Sequence, residues 1–300
     1  MSEERRELLA ALQWQIEAGA DEAIEEEAVD RFASAALAAA AGAPAPAGSP
    51  PDRPLSPPPT ARPAPARARN EPPPSWQPTP ELAARELQQS GNAAVESARA
   101  LAQAAKTVEE LRAALERFEG CALKDTATKL VFADGNPEAK LMILGEAPGA
   151  NEDRQGLPFV GDAGQLLDQM LAGVGLDRDK IYISNVLFWR PPGNRTPAPQ
   201  EIAACLPFVE RHIELIAPRY LMLAGNVSTK TLLSETRGIT KLRGQWFAYQ
   251  HAALANPIPA QAVLHPAYLL RQPAQKRLAW RDMLNFAEVA ESGADPLHGS

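Results

Sequence analysis

Cysteine is nearly absent from this chain: Cys121 and Cys205 are the two in 300 residues. Two thiols in a chain of this length argue against a disulfide framework and set a reducing cytoplasm as the expected compartment. Long apolar runs are missing too. None reaches the roughly 18–20 residues of a membrane span, so no membrane contact is expected. Met1–Arg6 is charged and lacks the apolar stretch of a secretory signal. Net positive charge is also lacking, the balance being −7. Spread evenly, that would speak against a nucleic-acid partner. It is not spread evenly. Residues 1–30 carry two basic and ten acidic side chains, whereas residues 178–281 carry 14 basic and five acidic ones. Screening limits a charge's reach to about 10 Å at ordinary salt, so local charge decides whether phosphates are attracted.

The composition changes along the chain. Leu8, Leu9, Leu12, Ile16 and Ala20 recur at three- and four-residue spacing, so residues 1–40 read as a helical, acidic N-terminal segment. Residues 41–80 hold 15 of the 29 prolines and read as a disordered Pro/Ala-rich linker. Residues 81–117 return to a helical pattern. From residue 118 to 290 short apolar runs alternate with helical stretches, and 291–300 is a tail. Strands are expected at Lys140–Leu144, Lys180–Leu187, Arg219–Leu223, Trp246–Tyr249 and Ala262–Leu264. Helices are expected from Asp162, from Pro199, over Val227–Leu233 and near 274–290. This alternation predicts an α/β/α sandwich on a mainly parallel sheet. Ligands in such sheets bind beyond the carboxyl ends of the strands.

Three loops follow such strands. The first runs from Gly145 through Glu146, Ala147 and Pro148 to Gly149, then on to Pro158, Phe159, Val160 and Gly161. Glycine and proline there fix an irregular backbone that can approach a ligand closely. The second starts at Asn185 and carries Arg190 to Pro197, with Arg190 and Arg195 rigidly placed for phosphates. Asn185 has an amide that both donates and accepts, as reading a base edge requires. The third is His265 to Arg271. A histidine at a strand end can meet a developing negative charge, and Leu269, Leu270 and Arg271 suit insertion into DNA. His212, His251 and His298 have no comparable context.

Taken in order and at their spacing, these loops resemble the family-four (iron–sulfur) uracil-DNA glycosylases. Thr126 to Thr128 and Ile239 to Gly244 fit as well, and the likeness covers about residues 118–290. It implies hydrolysis of the bond between uracil and deoxyribose after the nucleotide is flipped from the stack, leaving an abasic site for repair. It also implies roles. Phe159 would stack on uracil, Asn185 would bond its edge, and His265 would donate to its O2. Glu146 would orient water or stabilise the sugar cation. Ala147 would line the uracil site, where some relatives carry aspartate. Arg190, Arg195, Leu269, Leu270 and Arg271 would meet the DNA. A monomer acting on uracil-containing DNA is expected, with a partner for residues 1–40 left open.

The family holds a [4Fe–4S] cluster on four cysteines. Here Cys121 and Cys205 fill two of the places, while Phe118 and Trp189 stand in the other two. Neither aromatic can ligate iron, so no cluster is expected and an aromatic plug takes its place. The sibling family that traps uracil-DNA covalently carries a histidine in a basic insertion, and Arg237–Gly244 has neither. A catalytically inactive DNA-lesion binder or accessory protein of the same fold is the other alternative. The presence of Glu146, Phe159, Asn185 and His265 favours the enzyme.

Overall fold

The computed structural model describes residues 80–297. The expected N-terminal helix and the proline-rich linker lie outside the described residues. Two helices open the described part, α1 (Pro80–Ala104) and α2 (Val108–Arg117). The sequence pattern reads as one helical stretch here. It breaks because Thr107 leaves helical geometry and its side chain accepts the Glu110 N–H, an N-cap that starts a new helix.

Six strands follow: β1 (Asp134–Gly135), β2 (Leu141–Gly145), β3 (Tyr182–Asn185), β4 (Tyr220–Ala224), β5 (Trp246–Tyr249) and β6 (Ile258–Val263). The intervening helices are α3 (Ala150–Gln155), α4 (Asp162–Gly173), α5 (Pro199–Ile216), α6 (Asn226–Leu233), α7 (Ile239–Leu242), α8 (Pro266–Arg271) and α9 (Lys276–Ser292). The sheet order is β1-β3-β2-β4-β6-β5. The four central strands are parallel and both edge strands antiparallel. After β2 the chain goes to one side, to β3, and then returns across β2 to β4. The strand order reverses there, which is where doubly wound sheets bind ligands.

Strands β2 and β4 read as unbroken apolar runs because both of their faces are buried, whereas β3 ends in Ser184 and Asn185 and β6 carries Gln261. Alternation then divides their side chains between two cores. Met142, Leu144, Leu221 and Leu223 join Leu111, Leu115, Cys205 and Phe208 from α2 and α5. Leu141, Ile143, Tyr220 and Met222 join Leu167, Leu171, Met283 and Phe286 from α4 and α9. Helices thus cover both faces, as the three-layer expectation required. His212 on α5 belongs to the first core: it is buried, bonds the Tyr182 hydroxyl at 2.8 Å and stacks on Phe132 at 4.5 Å. No helix of the described residues is long and apolar enough to cross a membrane.

Candidate active site

The four parallel strands end side by side, and each delivers part of one cluster. β2 ends at Gly145, with Glu146 next. β3 ends on Asn185, which lies directly across from Gly145 in the pairing. β4 runs out to Gly225, and β6 leads through Leu264 to His265. Phe159 enters from the loop before α4. Gly145 permits the assembly. A Cβ there would lie 2.3 Å from Asn185 Oδ1 and 2.6 Å from Phe159 Cζ, so only a residue without a side chain lets amide and ring meet. Gly225, at φ +100°, does the same for His265, whose Cβ would be 3.1 Å away. The Phe159 and His265 rings lie 5.6 Å apart at 25°. Asn185 and Phe159 are buried, and Glu146 and His265 are half-buried.

His265 caps α8, and its Nδ1 accepts the Ala267 N–H at 3.1 Å. In the neutral ring the proton therefore sits on Nε2, which is left to donate. Burial, helped by the Arg271 charge, lowers the pKa of His265 to about 4, with Glu152 acting against them. The ring is neutral at pH 7. Glu146 is shifted the opposite way: burial raises its pKa, and Arg271 opposes the rise. Ala147 brings no polar side-chain atom, and its methyl packs against the first core.

The residues expected to meet DNA divide into distinct groups. Leu269 is fully buried against Leu264 and Ala279. It cannot serve as a wedge, because it anchors α8 to the domain. Leu270 is 43% exposed, and Arg271 beside it also faces solvent. Arg190 is half-buried and donates to Asn194 Oδ1 at 2.8 Å. Arg195 is exposed but committed to Glu201, with contacts of 2.9 and 2.5 Å. The structure also adds two residues to the site. Glu152 and Arg178 hold the Phe159 loop. Glu152 sits within the first motif, so its place offered a hint. Arg178 lies in an ordinary turn before β3 and gives no local signal.

A family model described as the Uracil DNA glycosylase superfamily matches residues 132–285. The chain belongs to the uracil DNA glycosylase superfamily. A Type-4 uracil-DNA glycosylase from Sulfurisphaera tokodaii is 36% identical over 189 residues, which is 61% of this chain and 85% of that protein. One from Archaeoglobus fulgidus is 38% identical over 173 residues, covering 56% and 86%. One from Thermotoga maritima is 37% identical over 158 residues, covering 52% and 80%.

The likeness to family four, not superfamily membership, implies an iron–sulfur cluster. Cys121 and Cys205 are buried with sulfurs 4.0 Å apart. Hydrogen bonding from Cys205 lowers the pKa of Cys121, while that same bond, together with burial, raises Cys205. Phe118 packs on Phe208 at 5.1 Å and Trp189 meets Phe188 edge-on at 6.5 Å. All four side chains at the cluster positions are buried in the same apolar core. A cubane cluster needs about four thiolates. This set offers two thiols, a phenyl ring and an indole, so it does not fit the cluster. Among the described residues no group of three or more His, Cys, Asp or Glu side chains is placed to hold a metal ion.

Proposed function

We propose that this site hydrolyses the N-glycosidic bond of uracil in DNA, acting on a nucleotide flipped out of the stack. One observation carries the reading: Phe159, Asn185 and a neutral His265, its proton on Nε2, converge at the carboxyl ends of the parallel strands. The reaction breaks the bond between the sugar carbon and uracil N1, and the electron pair leaves with the base. Phe159 stacks on the flipped ring. Asn185, whose amide presents both a donor and an acceptor, bonds the edge that differs between uracil and cytosine. His265 donates from Nε2 to uracil O2 as negative charge gathers there. A neutral donor suits an anion whose proton affinity it need not exceed, and a fixed donor of this kind contributes about 3–4 kcal/mol. Glu146, made more basic by burial, faces the cationic sugar and takes the proton of the water that adds to it. Leu270 and Arg271 fill the gap left in the duplex. Arg190 contacts phosphate, and Arg195 does so only at the expense of its Glu201 pair. None of these steps passes through an iron–sulfur cluster.

The test is direct. The full chain is incubated with a uracil-containing oligonucleotide, and abasic sites are then cleaved with alkali. Strand breaks confined to the uracil position are expected. Tight binding without breaks would favour a lesion-binding protein instead.

A further inference from the structure

Phe159 has a backbone conformation that phenylalanine seldom adopts, with φ at 54°. Such a conformation persists only where its surroundings over-determine it, and three features surround this one. Arg178 stands behind the carbonyl side. Its Nη2 donates to Phe159 O and its Nη1 to Pro158 O at 3.3 Å. The guanidinium is held in turn by Asp134 and by Asp168, the latter at 3.0 and 3.2 Å. Glu152, which is buried, takes the chain just after the ring. Its Oε1 accepts the N–H groups of Val160 and Gly161 at 2.9 and 2.7 Å, and its Oε2 accepts that of Gly149 at 3.1 Å. Gly149 closes the turn that follows Glu146, so one carboxylate joins the Glu146 loop to the Phe159 loop. Gly164 completes the seat: a Cβ there would lie 1.8 Å from Phe159 O.

We propose that Glu152 and Arg178 are positioning residues that fix the plane of the Phe159 ring against Asn185 and His265. The proposal rests on Phe159 being the side chain that stacks on uracil. Arg178 donates to the carbonyls of Pro158 and Phe159, and Glu152 accepts the N–H groups of Val160 and Gly161, so the two hold the backbone on either side of that ring. A rotation there would move the ring relative to the Nε2 donor, and displacements near 1 Å can cost about 100-fold in rate. Arg178 also ties β1 to the body through Asp134, so a structural contribution has to be separated from positioning.

The experiment measures single-turnover uracil excision at saturating enzyme for Glu152→Gln, Arg178→Lys, Phe159→Ala and the two double variants containing Phe159→Ala. Glutamine keeps one oxygen for Val160 and Gly161 but turns an amide N–H₂ toward the Gly149 N–H. Lysine keeps the charge but cannot reproduce the planar fork that serves two carbonyls and Asp168. Each single variant should slow excision by about 10- to 100-fold, with DNA affinity within about twofold of the parent. Added to Phe159→Ala, each should cost less than about twofold more, because coupled residues are not additive. Circular dichroism melts establish the folded fraction, and rates are normalised to it. Full additivity in both double variants, or unchanged rates in both single variants, would overturn the positioning role. An unchanged rate for Phe159→Ala would overturn the stacking assignment itself, and the positioning role with it. Should Glu152→Gln not fold, the Arg178→Lys cycle decides alone.

Discussion

Replacing His265 by alanine would remove the donor proposed to face the leaving base. Among the described residues no second imidazole is placed to replace it, since His212 is buried against Phe132 and His251 pairs with Glu210 and Glu214. Losing one preorganised donor costs about 3–4 kcal/mol of transition-state stabilisation, or 100- to 1000-fold in the single-turnover rate. DNA affinity should change little, because the contact strengthens only as charge develops on the base. The pH profile of the parent enzyme adds a sharper check. With its pKa lowered to about 4, His265 stays neutral from pH 8 down to about pH 5, so it should contribute no inflection near pH 6.5. A cationic donor would instead make the rate climb as pH falls through that range. The assay is single-turnover excision on a uracil oligonucleotide between pH 5 and 8, for parent and His265→Ala. The reasoning fails if the variant keeps a rate within tenfold of the parent, or if the parent accelerates toward pH 6 and the variant does not.

Other predictions follow from the same geometry. Leu269→Ala should lower unfolding stability by about 2–5 kcal/mol through lost packing, seen in denaturant melts. Leu270→Ala should leave stability unchanged and slow excision from duplex more than from single-stranded DNA; the reverse pattern would exchange their roles. Gly145→Ala should abolish excision, since its methyl would collide with Asn185 and Phe159; substantial activity would mean those two side chains need not meet. Protein purified without oxygen should lack stoichiometric iron and an iron–sulfur absorption band, and finding both would show that two thiols suffice to hold a cluster here. Burial lowers His212 to about 3. Below about pH 6.5 the unfolded chain takes up a proton that the folded one refuses. Its contribution to stability is therefore complete above that pH and is lost progressively toward pH 3. His212→Gln should flatten that stretch of the stability–pH curve.

The inner strands β2 and β4 are legible because parallel strands buried on both faces are continuous apolar runs, as in Leu141–Leu144 and Tyr220–Leu223; β1, two residues long, gives no pattern to read, and β6 begins at Ile258, four residues before its expected start, because Pro259 and Gln261 break the apolar run. The helix from Asp162 and the one from Pro199 were legible from apolar spacing and start signals. Helices α3, α7 and α8 were not. They are four to six residues long, too short to show a period. The break between α1 and α2 turned on a single cap at Thr107. Among the site residues, Glu146, Phe159, Asn185 and His265 stood out because each sits in a Gly/Pro-marked loop after a strand. Leu269 and Leu270 look alike in sequence, and only the phase of a helix six residues long sends one inward and the other to solvent.

By itself the sequence determined the layer architecture, since hydrophobic periodicity is a local property. It also determined that the chain has two thiols to offer rather than the four a cubane cluster needs, since ligand chemistry belongs to residue type. The tertiary structure decided what depends on contacts across the chain. It set the His265 proton on Nε2 through the Ala267 N–H, packed Phe118 and Trp189 into the apolar core with the two thiols, and drew Arg178 from a plain turn onto the Phe159 carbonyl. Those outcomes depend on which distant groups come within a few ångströms, and no local pattern encodes that.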